Sequence, residues 1–287
     1  MKTYPECMQC FDRTIRFLAQ KHAQNEENQQ EILRQAFEKV KTFDPKLPPP
    51  TLARETYKII ADVCGKPDAY QEEKLQSTIA AKQLLEKLLA EESIDLNDFE
   101  TRVRLAIAGN IIDFGVNTHL DMDTAKKIIL DSFQKPIDRK SLARFQEKIE
   151  SSKNILYLLD NCGEAVFDKI LMEPYGSKIT LCTRGFPVLN DVTRAELEMS
   201  GLNGITKRII DTGDYTPGIT MEKSSPEFLE AFRTTDLIIA KGQGNYETLS
   251  DCTEQIVFLF MAKCPTVCQH LNDELNSLQV RFAGETR

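Results

Sequence analysis

The stretch NILYLLDNCGEAVFDKILM, residues 154–172, marks a change in the pattern of the chain. Its first seven residues form a β-rich apolar run, a polar turn follows, and residues 164–172 return to helical spacing. A near-continuous apolar strand leading directly into a helix is the first half of a βαβ unit. The alternation recurs downstream. KITLCTR, KRIIDTG and DLIIAKG read as further strands and PTVCQ as a weaker one, with helices expected over 190–200 and 225–232. Such strands call for a mostly parallel sheet covered on both faces and built from right-handed crossovers. The expectation for 151–287 is a Rossmann-like αβα domain.

Upstream, residues 1–150 read as helix after helix, with apolar residues three and four apart among many Glu, Gln, Lys and Ala. Cys10, Phe11, Thr14, Phe17 and Leu18 are expected on one face of the first helix, and Leu105, Ile107, Ala108, Ile111 and Ile112 in a more apolar, buried one. DPKLPPPTL, residues 44–52, reads as a rigid connection, because its prolines lack amide protons and restrict their neighbours. The fold class is therefore α/β: an all-helical N-terminal domain, 1–150, capping a cleft, then the sheet domain carrying the site.

The chain of 287 residues is long enough for a sizeable core, and its formal net charge of -8 gives no general attraction to nucleic acid or anionic membranes. No apolar run approaches the length of a signal peptide or membrane span, and eight Cys without an export signal are expected to be mostly reduced. A cytoplasmic protein with a small-molecule partner is expected, in an oligomeric state the sequence leaves open.

In an open parallel sheet, ligands gather where strands end and helix N-termini begin. Asp160 and Asn161 follow the first strand, and Asp191 stands in the next such loop. Two carboxylates and an amide suit a hard cation such as Mg2+ or Mn2+, while His22, His119 and His270 all lie elsewhere, against a catalytic zinc site. The competing reading is that Asp160 and Asp191 merely cap helices. Arg184 and Lys241 bring cations to the same edge. With Gly185, Asn190, Gly242 and Asn245 around them they suggest a phosphate pocket. Cys7 and Cys10 form CxxC, which reads either as two small core side chains or as a second metal or redox site.

CMQC at 7–10, GNIIDFG at 109–115, DNCGEAVFDK at 160–169, RGFPVLNDVT at 184–193 and KGQGNYE at 241–247 together resemble the damage-control phosphatase family, first catalogued as domain of unknown function 89, in its smaller prokaryotic-type branch with an N-terminal CxxC. The resemblance spans nearly the whole chain. It implies a helical lobe on a Rossmann-like lobe, a divalent metal (Mn2+, Mg2+, Co2+ or Ni2+) held by Asp160, Asn161 and Asp191, phosphate contact by Lys241, and hydrolysis of phosphosugars or damaged phosphometabolites. Asn110 and Asp113, polar residues in an apolar stretch, are then expected to close the cleft above the metal rather than only to stitch helices together. DAYQEEK at 68–74 keeps Asp68, Tyr70 and Lys74 but lacks the proline of the family's fuller pattern.

The expected chemistry is in-line attack by water on a metal-bound phosphate. Asp160 or Asp191 would orient the water, and Lys241 and Arg184 would stabilise the equatorial oxygens; an aspartyl-phosphate intermediate stays open. An S-adenosylmethionine-dependent methyltransferase is disfavoured because DNCGEAVFD offers a single Gly where a nucleotide-type cofactor wants a glycine-rich turn. A non-catalytic phosphometabolite- or metal-binding protein is the remaining alternative.

Overall fold

The computed structural model describes residues 1–110 and 122–284. Its first half holds α1 (Pro5–His22), α2 (Glu26–Thr42), α3 (Pro49–Cys64), α4 (Gln71–Glu91), α5 (Phe99–Ala108), α6 (Met122–Phe133) and α7 (Arg139–Ser151). Local chemistry sets their ends. Asn25, Asp98 and Asp138 accept first-turn amides of α2, α5 and α7, and α3 stops at Gly65 in the left-handed region. The proline run does less than expected. Pro49 and Pro50 open α3, where first-turn amides have no intrahelical acceptor to lose, so the connector ends at Pro48.

The first helix has two working faces rather than one. Ile15, Leu18 and Ala19 are buried in the cluster formed with α2 and α3, whereas Phe17 is exposed. Leu105, Ile107 and Ala108 are fully buried in α5, while Ile111, Ile112 and Asp113 lie outside the described residues.

The second half runs β1 (Ile155–Leu158), α8 (Cys162–Met172), β2 (Ile179–Thr183), β3 (Arg208–Asp211), α9 (Pro226–Thr234), β4 (Leu237–Lys241), α10 (Gly242–Leu249), β5 (Ile256–Met261), α11 (Pro265–Leu271) and β6 (Leu278–Phe282). Sheet order is β3-β2-β1-β4-β5-β6, parallel throughout except for β6, which pairs antiparallel with β5. This is the mostly parallel, Rossmann-like sheet expected. Alternate residues of β1 enter different cores: Ile155 and Tyr157 join α5, α7 and α8, while Leu156 and Leu158 join α9, α10 and α11. The chain reverses its winding between β1 and β4, so their C-terminal loops diverge and leave a crevice.

Three readings are corrected. PTVCQ lies in α11, opened by Pro265 at its first turn, and the neighbouring strand is the wholly buried IVFLFM of β5. The strand β6 was not foreseen. The helix expected over 190–200 is only a 3-10 turn, Arg194–Glu196, because the backbone before it is already bonded in extended form: Val192 N–H donates to Asp160 and Arg184 N–H to Val192. Among the described residues no helix is long and apolar enough to cross a membrane.

Phe167 of α8 is fully buried among α4, α5 and α6 residues and packs directly beneath Gly109. Phe167→Ala is expected to cost about 3–5 kcal/mol in urea unfolding. A loss below about 1 kcal/mol would show that α8 does not tie the helices to the sheet.

Candidate functional site

The turn after β1 and the loop after β2 are stitched together by their backbones. Asp160 C=O accepts from Val192 N–H at 2.9 Å, and Cys162 N–H donates to Asn190 C=O at 2.9 Å, making an isolated bridge between Asn161 and Asp191. Three oxygen-bearing side chains thus leave adjacent pieces of backbone. Asn161 does cap α8, its Oδ1 accepting Glu164 N–H at 2.9 Å. Among the described residues neither aspartate caps a helix: α8 is capped by Asn161, and the turn after Asp191 by Thr193, in a capping box with Glu196.

Arg184 holds the two aspartates from one side. Its Nε donates to Asp191 Oδ2 at 2.6 Å and its Nη2 to Asp160 Oδ1 at 3.4 Å, while Nη1 is anchored on Gly218 C=O and Asn245 Oδ1. The guanidinium is 2% exposed, so it works as a brace within the floor of the site rather than as a rim cation. Asn245 in turn donates to Lys241 C=O at 2.7 Å, tying the start of α10 to the same brace.

Lys241 is fully buried, its ammonium held by Glu164, by Asp168 at 2.7 Å and by Ala106 C=O at 2.8 Å. Tyr157 O–H also donates to Asp168, at 2.8 Å. Glu164 Oε2 accepts from Asn110 Nδ2 at 2.8 Å and Asn161 Nδ2 at 3.2 Å, and Asn110 Nδ2 also reaches Asp160 Oδ2 at 3.1 Å. The lysine therefore reaches Asn110 and Asn161 only through Glu164. Burial pushes Glu164 up to about 8 against the pull of Lys241, and raises Asp168 for the same reason. Asp191 is pushed up to about 7 by burial, with Arg184 opposing and Asp160 adding to the rise.

A cavity of about 450 Å³ opens over these groups. Asp160, Asn161, Asn190, Asp191 and Asn110 form its polar floor, and Cys7, Cys10 and Phe11 of α1 with Pro49, Pro50 and Ala53 of α3 face them from the helical lobe. All eight cysteines are free thiols, and burial raises the pKa of Cys7. Arg184, Lys241, Asn245, Gly185 and Gly242 do not line the cavity. Gly185 donates its amide to Thr212 Oγ1 at 3.0 Å and packs so closely that a Cβ would come within 2.5 Å of Gly213 Cα. Gly242, at φ 77°, lies against Asp160, with a Cβ there falling 1.9 Å from Oδ2.

Asp168, Gln243 and Lys263 escaped the sequence reading, whereas Glu164 and Glu247 stand among the polar residues at the strand ends and Lys74 in DAYQEEK. Glu164 and Asp168, one helical turn apart on an otherwise apolar helix, were a legible acidic pair. Gln243 and Glu247, also four apart, line the cavity. Lys263 follows the overlooked strand β5, and its ammonium donates to both oxygens of Asn110, reaching Oδ1 at 2.6 Å. Lys74 of DAYQEEK is 1% exposed and pairs with Asp68 at 2.9 Å and Glu196 at 3.4 Å, bracing the turn that follows Asp191.

The model of the damage-control phosphatase ARMT1-like domain matches residues 3–278. The chain belongs to this family. A damage-control phosphatase of Pyrococcus horikoshii is 37% identical over 223 residues, covering 76% of this chain and 74% of that protein. One from Archaeoglobus fulgidus is 32% identical over 232 residues, 77% of each chain. An uncharacterised protein of Methanocaldococcus jannaschii is 31% identical over 286 residues, 94% of this chain and 92% of its own. The crystal structure of a P. horikoshii protein of the domain-of-unknown-function-89 family superposes with a TM-score of 0.86 at 30% identity, covering 99% of both chains.

For a member of the damage-control phosphatase family the donor chemistry can be tested against a divalent ion. Among the described residues no three His, Cys, Asp or Glu side chains form a metal-holding group. The set here is two carboxylates and an amide oxygen, hard donors of the kind Mg2+ and Mn2+ take. Charge supports the fit. Asp160 and Asp191, side by side, share a single cation, Arg184. A divalent ion beside Asp160 and Asp191 would make up the difference.

Gly242→Ala is expected to displace the Asp160 carboxylate and weaken Mn2+ binding at least about tenfold by calorimetric titration; unchanged affinity would separate Asp160 from the ion. Lys241→Met, which leaves Glu164 and Asp168 uncompensated, is expected to cost about 3–5 kcal/mol in denaturant unfolding. A near-neutral result would show that those carboxyls do not depend on the lysine.

Proposed function

We propose that the protein is a metal-dependent phosphatase of small phosphorylated metabolites, of the CxxC-bearing branch of its family. The observation that carries this reading is the convergence of Asp160, Asn161 and Asp191 on a cavity of about 450 Å³ whose floor holds more carboxyls than cations. Asp160, Asn161 and Asp191 would hold the ion, Mn2+, Mg2+, Co2+ or Ni2+. When bound, it supplies a Lewis acid that polarises the phosphoryl group and offsets its charge.

The side chains do the rest by positioning. Arg184 keeps the two aspartates at fixed spacing, and Asp160 or Asp191 orients the attacking water. Lys241, through Glu164, holds the amides of Asn161 and Asn110 in a single orientation, and with Arg184 lends positive potential from beneath as charge builds on the equatorial oxygens. Asn110 and Asn190 offer polar contacts to the phosphate. The walls contributed by α1 and α3 exclude water and limit the substrate to a small molecule.

The test is release of inorganic phosphate from p-nitrophenyl phosphate and a phosphosugar panel, with each of the four ions and with a chelator. Activity is expected only with metal, and Asp160→Ala or Asp191→Ala is expected to lower it on the order of 10²–10³-fold while the protein stays folded. Tight binding of a phosphosugar with no turnover would favour a sensor instead.

A further inference from the structure

Helix α10 begins against Asp160 and runs along the cavity. Gly242 touches the Asp160 carboxylate, and Gln243, Gly244 and Glu247 line the cavity next to Asp160, Asn161 and Asp191. Five residues of helix carry the chain about 7.5 Å along the axis from Gly242 to Glu247. The flexible Glu side chain spans much of that distance. Glu247 therefore lines the same cavity as a group bound at Asp160.

The surroundings of Glu247 are those of a proton donor. The residue is 9% exposed, and its Oε1 accepts a hydrogen bond from Gln243 Nε2 at 2.7 Å. No arginine or lysine is paired with it among the described ion pairs, in contrast to Asp160, Glu164, Asp168 and Asp191. Burial raises its carboxyl to about 7, Asp160 adding to the rise while Gln243 and the amino terminus oppose it. Cys7 faces it from α1 as a neutral thiol. A carboxyl in this condition carries a proton for much of the time at neutral pH, as a general acid must.

We infer that Glu247 is a catalytic residue, the general acid that protonates the leaving oxygen of an alkyl phosphate monoester. The inference rests on the phosphatase reading and narrows its substrates to esters of poorly acidic alcohols, such as sugar phosphates. Water forms the new O–P bond as the ester P–O bond breaks, and the electron pair of that bond stays on the alcohol oxygen, which takes the proton from Glu247. Of the two protons on the attacking water, one stays with the inorganic phosphate. The other restores Glu247. Ester and water give alcohol and hydrogen phosphate, with the enzyme unchanged.

The experiment compares kcat of the wild-type protein and E247Q, in Mn2+, on glucose 6-phosphate and on p-nitrophenyl phosphate, whose phenolate leaves without a proton. E247Q is expected to lose on the order of 10²-fold on the sugar phosphate and at least about tenfold less than that on the aryl ester. E247D, which keeps the acid on a shorter arm, is expected to show the same bias to a smaller degree, and provides the comparison should Gln at this position unfold α10. Equal losses on the two substrates, in either folded variant, overturn the assignment. Absence of phosphate release by the wild-type protein from both substrates would instead remove the phosphatase reading itself, and the general acid with it.

Discussion

The structure depends on keeping several carboxyls together, largely out of water, at the C-terminal edge of a parallel sheet. Removing a carboxylate from water is costly unless a cation or donors replace its hydration. The fold supplies these from every side. Arg184 reaches from the end of β2 to Asp160 and Asp191, Lys241 from the end of β4 to Glu164 and Asp168, and Tyr157 from within β1 to Asp168. A second buried lysine, Lys74 of α4, secures the adjoining turn through Glu196. Most of the residues that could act on a substrate are therefore fixed by partners that never meet it.

The same constraint explains why helices and sheet are interleaved. Phe99, Val103, Phe145 and Ile149 of α5 and α7 share a core with the sheet, and Ala106 of α5 lends its carbonyl to the Lys241 ammonium. The helices α1 to α3 pack around their own cluster and turn a second face, Cys7, Cys10 and Phe11, toward the polar floor. A small substrate would meet an apolar and thiol-bearing wall opposite an array of oxygen donors. Beside that floor Leu189 adopts a left-handed backbone, φ 48°, an uncommon conformation for a branched apolar residue and one that turns Asn190 and Asp191 toward Asn161.

Much of this could be read from the residues because the decisive features are local. The run of apolar β-formers ending in Asp160 and Asn161 identified a βα turn, and position in a parallel sheet then placed Asp191 nearby. What escaped was set by burial, which strand-end position does not reveal. Lys241 looks like a rim cation when it ends an apolar strand, yet its side chain turns inward to an acidic pair on α8. PTVCQ reads as a strand through its β-branched residues, although Pro265 is better suited to open a helix, and the adjacent IVFLFM is the true strand. The missing helix after Asn190 reflects backbone bonds made to a different segment, which helical spacing alone does not disclose.

In the proposed site, three oxygen donors from two neighbouring loops share one divalent ion above this buried charge network. Anomalous diffraction from crystals grown with Mn2+ tests it most directly. A single strong manganese peak is expected in the cavity, roughly 2.1 Å from oxygens of Asp160, Asn161 and Asp191. A peak ligated by the cysteine wall, or none at the floor with the ion in excess, would contradict it.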